Sequence, residues 1–114
     1  MPSVLPADNC LIIAGQVAGA CETRRSPAGV PISQFLLEHH STQMEAELSR
    51  EARCRIPVLA CGEALASIAS QLMMGARLRV QGFISRANNR REGEYRLVLH
   101  AARIEILDHE LSED

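Results

Sequence analysis

Apolar and polar positions alternate along most of this chain with the period of two that a half-buried strand imposes. In residues 52–61, Cys54, Ile56, Val58 and Ala60 fall on one side, and Arg53 and Arg55 on the other. Residues 76–85 repeat the pattern, with Leu78, Val80 and Ile84 inward and Arg77, Arg79 and Gln81 outward. Residues 10–22 mix β-branched and small side chains with Gly15 and Gly19, the composition of a strongly coiled strand. Residues 32–40 read as a second strand. Its Phe35-Leu36-Leu37 run is apolar on both faces, and the surplus face predicts contact with a second copy. Pro57 lacks a ladder donor, which places its strand at an edge or a bulge. Residues 95–107 supply a long last strand.

One segment has a different period. In residues 62–74, Leu65, Ile68 and Leu72, with Ala69 and Met73, recur at helical spacing and Gly75 stands as the C-cap. Residues 23–31, with Pro-Ala-Gly and a second proline, predict an exposed loop bearing Arg24 and Arg25. The polar residues 41–51 predict a long hairpin loop, and residues 86–94 a basic one. The order β-β-β-α-β-β, with a single helix between strands three and four, predicts an all-β OB-fold, a five-stranded Greek-key barrel. The barrel is expected over residues 10–108, after a flexible leader at 1–9 and before an acidic tail at 109–114.

The formal charge of −2 hides a strong asymmetry. Residues 50–104 carry ten arginines against four acids, while residues 105–114 carry five acids and no base. A basic centre suits a polyanionic partner, since local field outweighs net charge. All twelve basic residues are arginine, which fits bidentate phosphate recognition and equally fits a compositional bias in an Ala-rich chain.

Chemistry beyond binding has little to build on. The chain holds no nucleophile elbow, phosphate loop or zincin motif, so no enzyme is expected. Cys10, Cys21, Cys54 and Cys61 lack zinc-ligand spacing and read as reduced, mostly packed thiols. His39 and His40 are adjacent and face opposite ways on a strand, so neither is expected to join His100 in a metal site. No metal or cofactor is expected. The start of the chain has no signal-peptide pattern and no apolar run long enough for a membrane helix, which predicts a cytoplasmic protein with no membrane partner.

On an OB barrel, ligands lie over strands two and three, between the loop joining strands one and two and the loop joining strands four and five. Arg24 and Arg25 fall in the first loop; Arg86, Arg90 and Arg91 fall in the second, with Arg96 just beyond; Arg50, Arg53 and Arg55 belong to strand three. Together they predict an electropositive track along a phosphate backbone, sequence-blind and salt-sensitive. Tyr95 is the expected stacking residue, with Phe35 and Phe83 assigned to core or interface, and Arg77 and Arg79 to a solvated outer face. The alternative is an OB-fold adaptor whose arginines dock on an acidic protein, with only incidental contact to DNA.

Several longer stretches resemble one family. Ser-Pro-Ala-Gly-Val-Pro at 26–31, Gln34-Phe35, Leu37-Glu38-His39, Ile56-Pro57-Val58, Val80 to Ser85 and Leu97 to Ala101 together resemble the bacterial primosomal replication protein N family, PriB. The resemblance implies an OB-fold homodimer, related to single-stranded DNA-binding proteins, that binds single-stranded DNA during restart of stalled replication forks. It also implies that the protein stabilises the PriA helicase on DNA, stimulates its unwinding and helps recruit DnaT so that the replicative helicase is reloaded. Arg24, Arg50, Arg90 and Arg96 match family DNA-contact positions. Arg53 stands where a stacking tryptophan is found, Leu48 replaces another aromatic, His40 a basic residue, and Asn88 a lysine.

Overall fold

The alternation closes into a barrel. The computed structural model describes residues 7–87 and 96–107. It contains β1 (Leu11–Val17), β2 (Glu22–Arg25), β3 (Pro31–Glu45), β4 (Leu48–Cys61), α1 (Glu63–Ala69), β5 (Arg77–Arg86) and β6 (Leu97–Ile106). β1 runs antiparallel to β5, β5 to β6, and β3 to β4. β4 meets β6 in parallel at Val58↔Leu99 and Leu59↔His100. β1 then returns to β3 at Gln16↔Glu38 and Val17↔Leu37, which closes five strands into the predicted OB barrel. The short β2 lies on the edge of β3.

The inward row is the apolar row. Val17, Phe35, Leu37, Val58, Ala60, Leu78, Val80, Leu99 and Ile104 pack as one cluster with Leu72, and Leu65 and Ile68 of α1 cover one side of it. Burying a side chain of this size stabilises the fold by about 1.5–3 kcal/mol. Among the described residues Ser33 is the one buried polar side chain, and its hydroxyl shares a 2.9 Å hydrogen bond with that of Thr23 on β2.

Four expectations need correction. The segment 41–51 is not a loop, since β3 and β4 continue to Glu45 and Leu48 and join through Ala46 and Glu47, both in the left-handed region at φ 53° and 67°. Two such residues give the turn a twist that matches the strands. Arg24 and Arg25 lie in β2 rather than in a loop, opposite Ile32 and Pro31. The helix stops at Ala69, and Gly75 is not its cap. The Gly75 amide donates to Val17 across 2.8 Å, pulling the chain back toward β1 and leaving Met73 and Met74 exposed. Three of the four thiols, Cys10, Cys54 and Cys61, are exposed. Only Cys21 is partly covered, and burial raises its pKa.

Pro57 sits as its chemistry requires. It lies just before the two-residue ladder with β6, on a stretch of β4 whose only described partner is β3.

Candidate nucleic-acid interface

Cα partners in a ladder point to the same side of the sheet, so the registers sort the predicted arginines by face. Arg24 is opposite Ile32, Arg53 opposite His40 and Arg55 opposite Glu38. The β3 residues in these pairs are even-numbered, and they alternate with the buried Ser33, Phe35 and Leu37. Arg24, Arg53 and Arg55 therefore share the outer face of β2, β3 and β4. Arg50 is opposite Gln43 and belongs to the other face. Arg25 also points the other way. Its Nη1 donates to the Gly29 carbonyl at 2.7 Å and pairs with Glu63 at 3.3 Å, so it braces the turn after β2 against the start of α1.

Nearby carboxylates separate these side chains further. Arg50 pairs with Glu45 at 3.3 Å and Arg55 with Glu38 at 3.6 Å, both in solvent, where such pairs are worth at most about 1 kcal/mol and yield readily to a phosphate. Among the described residues, no carboxylate stands within ion-pair distance of Arg24, Arg53, Arg86 or Arg96. Arg86 ends β5 opposite Leu97, and the Arg96 carbonyl accepts from the Ala87 amide at 2.8 Å, so these two frame the entry and exit of the predicted second basic loop. Arg90, Arg91 and Tyr95 lie outside the described residues.

Arg53 also lines a cleft of about 580 Å³ between the β3–β4 hairpin and β1, together with Gln16, Glu38, His40, Arg77 and Leu107. His39 anchors the hairpin there. Its Nδ1 meets the Ala14 carbonyl at 2.6 Å and its Nε2 the Ser41 hydroxyl at 2.7 Å. On the other face His40 is hydrogen-bonded to Glu51. That bond, with a second from Thr42, holds the Glu51 carboxyl below its ordinary range, so Glu51 stays ionised close to Arg53. Arg77, expected only to solvate, faces this cleft, whereas Arg79 is held by Glu105 at 2.8 Å. Among the described residues, no three His, Cys, Asp or Glu side chains cluster as a metal site would require. His100 is stacked on Phe83 instead.

Comparison with known proteins now bears on this face. The model of a family described as another single-strand binding protein family matches residues 9–103. Replication restart protein PriB of Proteus mirabilis is 44% identical over 100 residues, spanning 88% of this chain and 94% of that protein. The chain belongs to the PriB family. The PriB protein of Photorhabdus laumondii is 47% identical over 100 residues, with the same shares covered. The solved structure of PriB from Ralstonia solanacearum superposes with a TM-score of 0.76 at 30% identity, covering 89% of this chain and 99% of that one. The family model spans Arg24, Arg53, Arg55 and His100.

Of the two places expected for Phe83, core or interface, the core is excluded: it is 48% exposed and stands on the outer face opposite His100. The parity of β5 carries this signal, because Phe83 shares the odd positions of Arg77, Arg79 and Gln81.

Proposed function

We propose that the chain binds single-stranded DNA without sequence preference on the outer face of β2, β3 and β4, as an accessory of replication restart. One observation carries the reading: Arg24, Arg53 and Arg55 share one face of three neighbouring strands, and among the described residues no carboxylate stands within ion-pair distance of Arg24 or Arg53. Guanidinium groups fixed on paired strands meet phosphates bidentately, and each neutralised phosphate releases counterions. Nothing in this set reads base edges, so affinity is expected to depend on salt far more than on sequence. Membership of the PriB family supports the restart role and, within it, a cytoplasmic homodimer that stabilises the PriA helicase on DNA, stimulates its unwinding and helps recruit DnaT.

Fluorescence anisotropy of a labelled oligo-dT tests the reading. Binding should be micromolar or tighter at low salt, with log K falling by about 0.7 per phosphate contact for each decade of salt. A protein that binds no oligonucleotide at low salt, yet still stimulates the helicase, would instead be an OB-fold adaptor using its arginines on an acidic partner.

The acidic residues after Leu107 enter the same balance. The Leu107 amide donates to the Arg77 carbonyl at 2.7 Å, and Leu107 lines the cleft beside Arg53 and Arg77. Residues 108–114 add four more carboxylates from that point, within reach of both arginines since seven residues extend about 25 Å. Removing them is expected to tighten oligo-dT binding severalfold at low salt and to change nothing at high salt. Equal affinities at low salt would refute this competition.

A further inference from the structure

We infer that Phe83 and His100 form a base-stacking platform on the outer face; the inference rests on the single-stranded DNA reading above and deepens it. Their rings lie parallel, with centroids 4.8 Å apart and planes within 7°. Phe83 is nevertheless 48% exposed, so the stack leaves much of an aromatic ring in water. The pair belongs to a cross-strand row that runs from Phe83 on β5 through His100 on β6, Leu59 on β4 and Gln34 on β3 to Glu22 on β2. That row lies on the face that carries Arg24, Arg53 and Arg55. By strand spacing and rise, Arg55 stands about 10 Å across and about 13 Å along the sheet from Phe83. A flexible chain of alternating bases and phosphates can span that gap, with phosphates on the arginines and a base on the ring.

A bulge makes the pair possible. β6 pairs Arg103 with Gln81 and Ala101 with Gly82, so Ala102 has no partner on β5. Without that extra residue, His100 and Arg103, three apart, would face opposite sides; with it, both face outward. The phenyl ring thus sits on a strand paired on both sides, already oriented by its neighbour, and a base stacking on it orders little else. A nucleobase fits this surface better than an apolar protein segment does, because Arg24, Arg53 and Arg55 share the face with the ring and a phosphate lies on either side of every base in a strand.

The experiment compares wild type, Phe83→Leu and Phe83→Tyr on a labelled oligo-dT and on an abasic oligonucleotide of the same length, with thermal melts to confirm folding. Phe83→Leu should weaken oligo-dT binding by roughly 5- to 100-fold. Its salt slope should not change, its affinity for the abasic strand should match wild type, and Phe83→Tyr should bind as wild type does. Unchanged oligo-dT binding by folded Phe83→Leu overturns the platform and marks the ring as a protein-contact surface. Equal weakening on both oligonucleotides also overturns it, since the ring would then act by placing the arginines. Failure of the wild type to bind either strand sinks the DNA reading itself, an outcome distinct from both.

Discussion

Replacing Arg24, Arg53 and Arg55 together by glutamate is expected to weaken oligo-dT binding on the order of 100-fold at low salt and to lower the salt slope by about 2. Three contacts at roughly 1 kcal/mol each account for the affinity, and three lost phosphate contacts at about 0.7 apiece account for the slope. The fold should survive. All three side chains are exposed, and the one carboxylate pair lost, Arg55 with Glu38, contributes little in solvent. A matched triple, Arg25, Arg50 and Arg79 to glutamate, supplies the control: Arg25 and Arg50 lie on the other face, and Arg79, outward on β5, is held by Glu105 at 2.8 Å. It should cost far less affinity although it changes net charge by the same amount. Equal losses from the two triples would show that overall charge, not the set Arg24, Arg53 and Arg55, holds the DNA.

That contrast depends on the face each residue occupies, which the sequence shows only where one face is buried. Residues 56–60 and 78–84 alternate between core and solvent, so their strands and inward rows follow from the pattern. Residues 41–51 do not alternate, because the hairpin of β3 and β4 runs on past the barrel and both of its faces meet water. Ladder hydrogen bonds hold it as strand, and the Ala46-Glu47 turn lacks the Asn or Gly that usually marks such a corner. β2 was hidden for a related reason: its four residues are all exposed, and only pairing with the edge of β3 makes them a strand. The faces of Arg24, Arg25 and Arg50 were therefore beyond reach of periodicity. Phe83 is a different case, since its outward position follows from the parity of β5 and was masked by the general tendency of phenylalanine to be buried. The orientation of His100 was illegible, because a bulge at Ala102 resets the parity of β6 and nothing in the residue pattern announces it.

The same bulge makes Gly82 the position where one methyl group should cost most. A Cβ at Gly82 would overlap the His100 carbonyl oxygen, lie 2.8 Å from its carbon and 3.1 Å from Ala101 Cα. These are backbone atoms of a paired strand, so no side chain can swing aside. Relief requires β6 to move away from β5 where Leu99 and Ile104 enter the core. We expect Gly82→Ala to destabilise the protein by about 3 kcal/mol, at the upper end of the usual overpacking range. For a domain of this size that corresponds to a fall in Tm of at least about 12 °C. Leu99→Ala, a cavity in the same layer, should be similarly costly at about 2–5 kcal/mol, but the two differ in what survives. Where Leu99→Ala remains folded it should keep the outward stack of Phe83 on His100 and bind oligo-dT as wild type does. Gly82→Ala displaces the backbone that carries His100, so at temperatures where it is still folded its oligo-dT affinity should fall along with its stability. Calorimetry paired with anisotropy well below both midpoints checks this, and a Gly82→Ala protein that melts within a few degrees of wild type would show that β6 does not close on β5 as tightly as the bulge geometry requires.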